Sequence, residues 1–313
     1  MNTFIRVAEV WVPSADGSLL ELAEGLFDAA PAFGASSRAL CFGRAEGLPG
    51  HAWDEGRPLL LRRFEGSYFR RTQAAQAAGL SCAVALPIFL GEELTSVVVL
   101  LCGDTEEHVG AIELWHNNPR IGTDLTLADG YFGSTGTDLE DLTRDSWLPR
   151  GSGAPGLAWQ REAAVFIDNV GTAPRFLRAQ VAASVGIVRA LSIPCSVRVR
   201  ETWVLSLLSS SKTPIARRVE SWLPNEAGTH MQRAFGYCEL RGRLTADDAD
   251  ALPAEALGPI GQAWRTGVAR AVSGDPMHGG LRDGEAKDCG LRSVLAIPVI
   301  GDSAVSEVIA LYF

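Results

Sequence analysis

A chain of 313 residues, 47% hydrophobic and 21% charged, has the make-up of folded globular protein and the length of two or three domains. A formal net charge of −9 argues against a non-specific nucleic-acid partner, and the longest apolar runs, such as 97–102, are far too short to span a bilayer. Six cysteines, at 41, 82, 102, 195, 238 and 289, include no Cys-x-x-Cys pair, and no secretory leader follows Met1; they fit apolar core positions in a reducing compartment, and the cytoplasm is the expected location.

Residues 5–11 alternate well enough for a strand, 12–17 carry turn chemistry, and 18–23 return as a second strand. Residues 29–46 are rich in small side chains and read as a loop with a strand or short helix at 38–42. Gly47-Leu48-Pro49-Gly50 breaks the chain, a short helix opens at 51–55, and Gly56-Arg57-Pro58 stops it. A buried strand at 59–61 precedes a helix at 69–78 with Gly79 in the C-cap role. Two apolar strands, 81–90 and 94–102, are joined as a hairpin through Gly91-Glu92-Glu93. After a polar joint at 103–108 the order returns: a hairpin of 112–115 with 125–128, a polar helix at 138–144, a buried strand at 163–168, a helix at 175–183, and a closing hairpin of 191–199 with 203–208. After a second joint at 209–214 come a strand at 219–222, a shorter route through 244–256, a helix around Trp264, a Gly-rich loop at 274–284 and a final hairpin within 294–313.

The recurrence is one of residues as well as of elements. Gly-x-x-Gly-x-Ala-Trp ends at Trp53, Trp159 and Trp264, at intervals of 106 and 105 residues. Glu9-x-Trp11 returns as Glu113-x-Trp115 and Glu220-x-Trp222, Gly25 as Gly130 and Gly236, and Pro87 as Pro194 and Pro298. Arg71, Arg178 and Arg282 each stand eight residues before Gly79, Gly186 and Gly290. A kept order of markers at one period is the signature of a unit used three times. The expected units are 1–105, 106–212 and 213–313, each long enough to bury a core.

The unit resembles a GAF domain of the kind found in phytochrome-type sensors. The resemblance is carried by Phe69-Arg70-Arg71, Ala78-Gly79-Leu80 and Ala85-Leu86-Pro87, then by Phe176-Leu177-Arg178, Gly186-Ile187 and Ile193-Pro194, and last by Cys289-Gly290-Leu291 and Ile297-Pro298. It implies an α+β fold: three tandem GAF-like (profilin/PAS-like) domains, each a mostly antiparallel sheet of about six strands with helices packed on its faces. It also implies a small-molecule pocket under the short helices, used in the family for cyclic nucleotides, bilins, haem or small metabolites. No stretch is left over for a kinase, cyclase or transcription module.

The expected function is therefore non-catalytic. It is sensing of a small molecule or assembly with a signalling partner or a second copy of the chain, with a pure interaction scaffold as the alternative. No cofactor is specified. If a pocket exists, the second unit supplies Trp159, Phe166, Asp168, Asn169, Phe176, Arg178 and Trp203, and the first supplies Cys41, Trp53, Phe69, Arg71 and Cys82. The tryptophans at 53, 159 and 264 can stack on a planar ligand or simply fill the core, and their repetition favours core. Glu9, Glu113 and Glu220 face solvent or pair with the repeated arginines, which either bind an anion or anchor a helix. Cys82 is followed by Ala83 where bilin-bearing family members often have histidine, which argues against a covalent bilin. Cys41, Cys82 and Cys102 share a unit, so a thiol-based methionine sulfoxide reductase is a third reading. The apolar surroundings of Cys82 and Cys102 speak against it. His51, His108, His116, His230 and His278 read as surface histidines with no metal spacing.

Overall fold

A computed structural model describes residues 3–103, 108–174, 176–195, 201–244, 251–274, 281 and 284–313. The first unit runs β1 (Ile5–Pro13), β2 (Leu20–Leu26), α1 (Pro31–Arg38), β3 (Cys41–Phe42), α2 (Gly47–Glu55), β4 (Leu59–Leu61), α3 (Thr72–Ala77), β5 (Cys82–Leu90) and β6 (Glu93–Cys102). The second runs β7 (Gly110–Asn117), β8 (Thr126–Tyr131), α4 (Thr137–Arg144), α5 (Gly153–Arg161), β9 (Val165–Ile167), α6 (Ala179–Ser184), β10 (Arg189–Pro194) and β11 (Thr202–Ser209). The third runs β12 (Arg218–Pro224), β13 (His230–Cys238), β14 (Gly242–Arg243), β15 (Ala251–Pro253), α7 (Pro259–Thr266), β16 (Arg270–Ser273), α8 (Glu285–Asp288), β17 (Ser293–Ile300) and β18 (Val305–Tyr312). Each unit makes its own antiparallel sheet, in the orders β3-β2-β1-β6-β5-β4, β8-β7-β11-β10-β9 and β14-β13-β12-β18-β17-β16, with β15 beside β13.

The register is the same in all three. Trp11, Trp115 and Trp222 lie opposite Val97, Val204 and Val308. Pro87, Pro194 and Pro298 lie opposite those same valines. Two expectations shift. The stretch read as loop at 29–46 contains α1. The Gly-x-x-Gly run is not a break before a helix but its first turn. Pro49 and Pro155 are tolerated there because first-turn N–H groups have no intrahelical acceptor. The first glycine of each run has a left-handed φ, +56° at Gly47, +62° at Gly153 and +52° at Gly258. The second allows close approach of backbone: a Cβ on Gly50, Gly156 or Gly261 would lie 2.0, 2.4 or 1.8 Å from the carbonyl oxygens of Gly43, Pro149 and Ala254.

Side chains alternate across each strand, and in the central strands of each sheet both faces are buried. On β6, Val97, Val99 and Leu101 pack under the unit's own helices, while Val98, Leu100 and Cys102 point the other way. The second face is covered by the other two sheets. Leu86, Val98 and Leu100 of the first unit join Leu114, Ile193 and Leu205 of the second and Leu295, Ile297 and Ile309 of the third in one continuous apolar cluster. No residue of a described helix belongs to it. The expected helical cover is thus present on one face only: each unit has its own core beneath its helices, and the three share a second core between their sheets. Near-continuous apolar strands are what burial on both faces requires.

The units meet in a closed ring. Ala269 of the third donates its N–H to Ser96 Oγ of the first at 3.2 Å, and Ala164 of the second donates to Glu307 Oε2 of the third at 2.7 Å. In the remaining junction the position matching Ala164 and Ala269 is Pro58, which has no N–H to give. The position matching Ser96 and Glu307 is Trp203, whose ring lies 5.2 Å beneath the Arg57 guanidinium. Donor and acceptor are absent together.

Candidate functional site

The place beneath the helices, where a small molecule was expected, holds a polar knot of the protein's own side chains. Glu9 and Trp11 are two apart on β1, so both point under the helices, and both are fully buried. Trp11 donates through Nε1 to Glu9 Oε2 at 3.0 Å. Arg71, ahead of α3, reaches the same carboxylate through both terminal nitrogens, Nη2 at 2.9 Å, and bonds Ser37 Oγ on α1. The rings of Phe33, Phe69, Trp11 and Phe42 stand 4.6, 5.2, 5.6 and 5.9 Å from its guanidinium carbon. The second unit repeats this: Trp115 donates to Glu113 at 2.8 Å, Arg178 grips Glu113, with Nη2 at 3.0 Å, and Thr143 of α4 takes the place of Ser37. Solvent-facing glutamates are therefore ruled out, and pairing with the repeated arginines holds in these two units.

The third unit builds the knot differently. Arg282 lies outside the described residues. Arg218, two before Glu220 on the same strand face, donates to Glu220 through Nε at 2.8 Å and to Glu285 of α8 at 2.5 Å. Trp222 and Tyr312 donate to the other Glu220 oxygen at 3.0 and 3.2 Å. Burial works against the Arg218 charge, but Glu220 and then Glu285 outweigh it and hold the guanidinium above its ordinary value. Burial also pushes the Tyr312 hydroxyl well up, keeping it a donor. Arg218, Glu285, Ser37 and Thr143 were missed in sequence; only Arg218-x-Glu220-x-Trp222 carried a readable signal, an alternation on one strand.

The twelve candidate residues do not converge. Phe69 and Arg71 meet in the first knot and Phe176 and Arg178 in the second. Trp53 is core beneath α2, and Trp159 is half-buried with Arg150 over it at 5.3 Å. Phe166 points out of the unit, stacks against Phe235 of the third at 6.2 Å and meets Tyr237 at a tilt at 5.4 Å. Asp168 pairs with Arg243 at 3.0 Å, and Asn169 accepts from Gly171 N in a local turn. Trp203 is buried in the junction of the first two units beside His116. Cys41 is exposed on β3, whereas Cys82 and Cys102 lie opposite each other inside the central core, fully buried, so the three thiols form no accessible cluster. His108 is buried, against the surface reading, and His278 lies outside the described residues.

Open volumes among the described residues lie between units. One of about 410 Å³ separates the second from the third, bounded by Phe166, Asp168, Arg161, Arg233, Phe235 and Glu307. Burial raises the Glu307 carboxyl above its usual range, against the opposing hydrogen bonds from Ser221 and Ala164. Another, of about 370 Å³, separates the third from the first.

No protein-family model matches the chain, and no curated protein matches it. Among solved structures it is similar to the GAF domain of nlh2 from A. aeolicus in an inactive state, with 18% identity over 32% of this chain and 59% of that chain, at a TM-score of 0.26. It is also similar to the free methionine-R-sulfoxide reductase of Neisseria meningitidis solved with its substrate, with 19% identity over 34% of this chain and 53% of that chain, at 0.25. A third is NreA of Staphylococcus aureus mutated in its nitrate-binding site, with 18% identity over 35% and 81%, at 0.28. The chain spans less than two thirds of the first two structures' own length. Each unit is an α+β arrangement, an antiparallel sheet with helices over one face, as the GAF resemblance implies. No helix among the described residues is long and apolar enough to cross a membrane.

Proposed function

We propose that this chain, three GAF-like domains over 1–105, 106–212 and 213–313, is a non-catalytic regulatory protein of the cytoplasm that acts through contact with other proteins. Its interior sites are filled by its own side chains. The observation that carries this is the buried Glu–Trp–Arg knot beneath the helices of each unit. A ligand seated there would have to displace an arginine and leave a fully buried carboxylate without its counter-charge, at a cost of several kcal/mol. Tight side-chain filling of this kind favours the scaffold reading over the sensor reading.

Native mass spectrometry and an absorption spectrum of protein purified from its own source test it. The expected result is the mass of the chain, alone or in whole multiples, with no added bilin, haem, flavin or nucleotide and no absorption beyond the protein band. A stoichiometric bilin, haem, flavin or nucleotide seated beneath the helices would overturn it.

A further inference from the structure

The three junctions are built from matching positions, and they differ at a second place besides the one occupied by Pro58 and Trp203. The first residue of the penultimate strand is Cys82, Arg189 or Ser293, each opposite the last strand's end. It faces the next unit at Tyr131, Tyr237 or Leu26, the residues paired with Ile112, Val219 and Ala8. Between the second and third units Arg189 fills the space. Its guanidinium is clamped by Glu239 at 2.9 Å through two nitrogens and donates to Tyr237 Oη at 2.9 Å. Burial works against that charge, and Glu239 more than offsets it. Between the first and second units Tyr131 fills it, its hydroxyl 3.0 Å from Ser81 Oγ. Between the third and first, both positions are short: Ser293 stands where Arg189 does, Leu26 where Tyr237 does, and Asp28 where Glu239 does. The result is the cavity of about 370 Å³, bounded by Ser293, Leu26 and Asp28 together with Arg6, Arg217 and Arg292. That volume falls within the range of small-molecule sites, roughly 300–1,000 Å³.

We infer that this cavity is a binding site for a small molecule with a guanidinium or ammonium at one end and a carboxylate at the other, the class of the free basic amino acids. The cationic end takes the place that Arg189 occupies in the neighbouring junction and meets Asp28, the counterpart of Glu239. The carboxylate meets Arg6 and Arg292 of the same lining, whose planar donors suit a carboxylate. Leu26, Ile5 and Ala8 cover the aliphatic middle. The site lies apart from the filled interiors, and the two units that form it are also tied by Arg270 and Glu24, with Nε to Oε1 at 2.9 Å.

The test is isothermal titration of the full chain with L-arginine as the probe, with agmatine, which lacks the carboxylate, and glutarate, which lacks the cation, as controls. Saturable one-to-one binding of L-arginine is expected, with a Kd below about 5 mM and each control weaker by about tenfold. Ser293→Arg installs the residue that plugs the neighbouring junction and is expected to abolish binding. Asp28→Asn and Arg292→Gln, both at exposed positions where folding is not at stake, are each expected to weaken it about tenfold. No saturable binding to the unaltered chain, glutarate binding as tightly as L-arginine, or full binding by the Asp28 and Arg292 variants would overturn the assignment. An amino-acid-sized mass lost from the Ser293→Arg protein belongs to this junction and leaves the reading of the interiors untouched.

Discussion

Arg71→Met is the sharpest probe of the filled interior. Methionine approximates the length of the arginine stem without its charge, so the change removes Glu9's counter-ion and leaves the carboxylate with one donor, Trp11 Nε1. Glu9 has no exposure through which water could compensate. Breaking a buried pair from one side costs about 3–5 kcal/mol. Glu9→Gln orphans the arginine instead, and the arginine is better provided for: four aromatic rings lie within 6 Å of it. Those contacts, at about 0.5–1 kcal/mol each, survive Glu9→Gln but are lost with the arginine, so Glu9→Gln is expected to cost about 2 kcal/mol less than Arg71→Met. The double variant carries no buried charge at this place and is expected to be more stable than Arg71→Met alone. Urea unfolding followed by tryptophan fluorescence and circular dichroism measures all three. An Arg71→Met cost below about 1 kcal/mol, or single costs that simply add in the double variant, would refute the claim that the knot is a closed, water-free pair.

Three further outcomes follow from the packing. Because burial raises the Glu307 pKa above its ordinary 4.5, the folded protein holds that proton to higher pH than the unfolded chain; stability tied to it is fully present below 4.5 and is lost as pH rises through the folded value. Glu307→Gln should therefore gain on the unaltered protein, in melting temperature, as pH climbs from 4 to 7, and a pH-independent difference would contradict this. Gly261→Ala drives a Cβ to 1.8 Å from the Ala254 carbonyl oxygen and should cost about 3 kcal/mol or more in a urea titration, whereas Gly122→Ala, with open space around it, should stay within about 0.5 kcal/mol. Residues 1–103 expressed alone would expose Val84, Leu86, Ile88, Val98 and Leu100, so they should bind ANS and self-associate, while the whole chain unfolds in one transition; a monomeric, stable single unit would count against the shared core.

Much of this was legible in the chain because it is local. A left-handed φ at Gly47, Gly153 and Gly258, the glycine that lets backbone pass at 50, 156 and 261, and the two-residue step from Glu9 to Trp11 act within a few residues, so they left the same letters three times. The number of units, their common register and the α+β fold come from those letters. The strands also announced burial on both faces by being apolar throughout, as at 97–102. What the letters did not contain was the identity of the cover. A strand apolar on both sides is equally satisfied by helices or by another sheet, and only the packing of three units around one core chose the sheet. The scatter of the candidate residues has the same origin: Phe166 is one residue from Val165 and Ile167, yet strand geometry turns it to the neighbouring unit while they face the helices. Arg218 supplies the counter-charge of Glu220 from the same strand because a knot needs a charge at a place in space, not at a position in the repeat. The cavity between the third and first units has no local signature, since it exists through what Ser293 and Leu26 fail to fill across a junction that is closed in the ring only when all three units are folded.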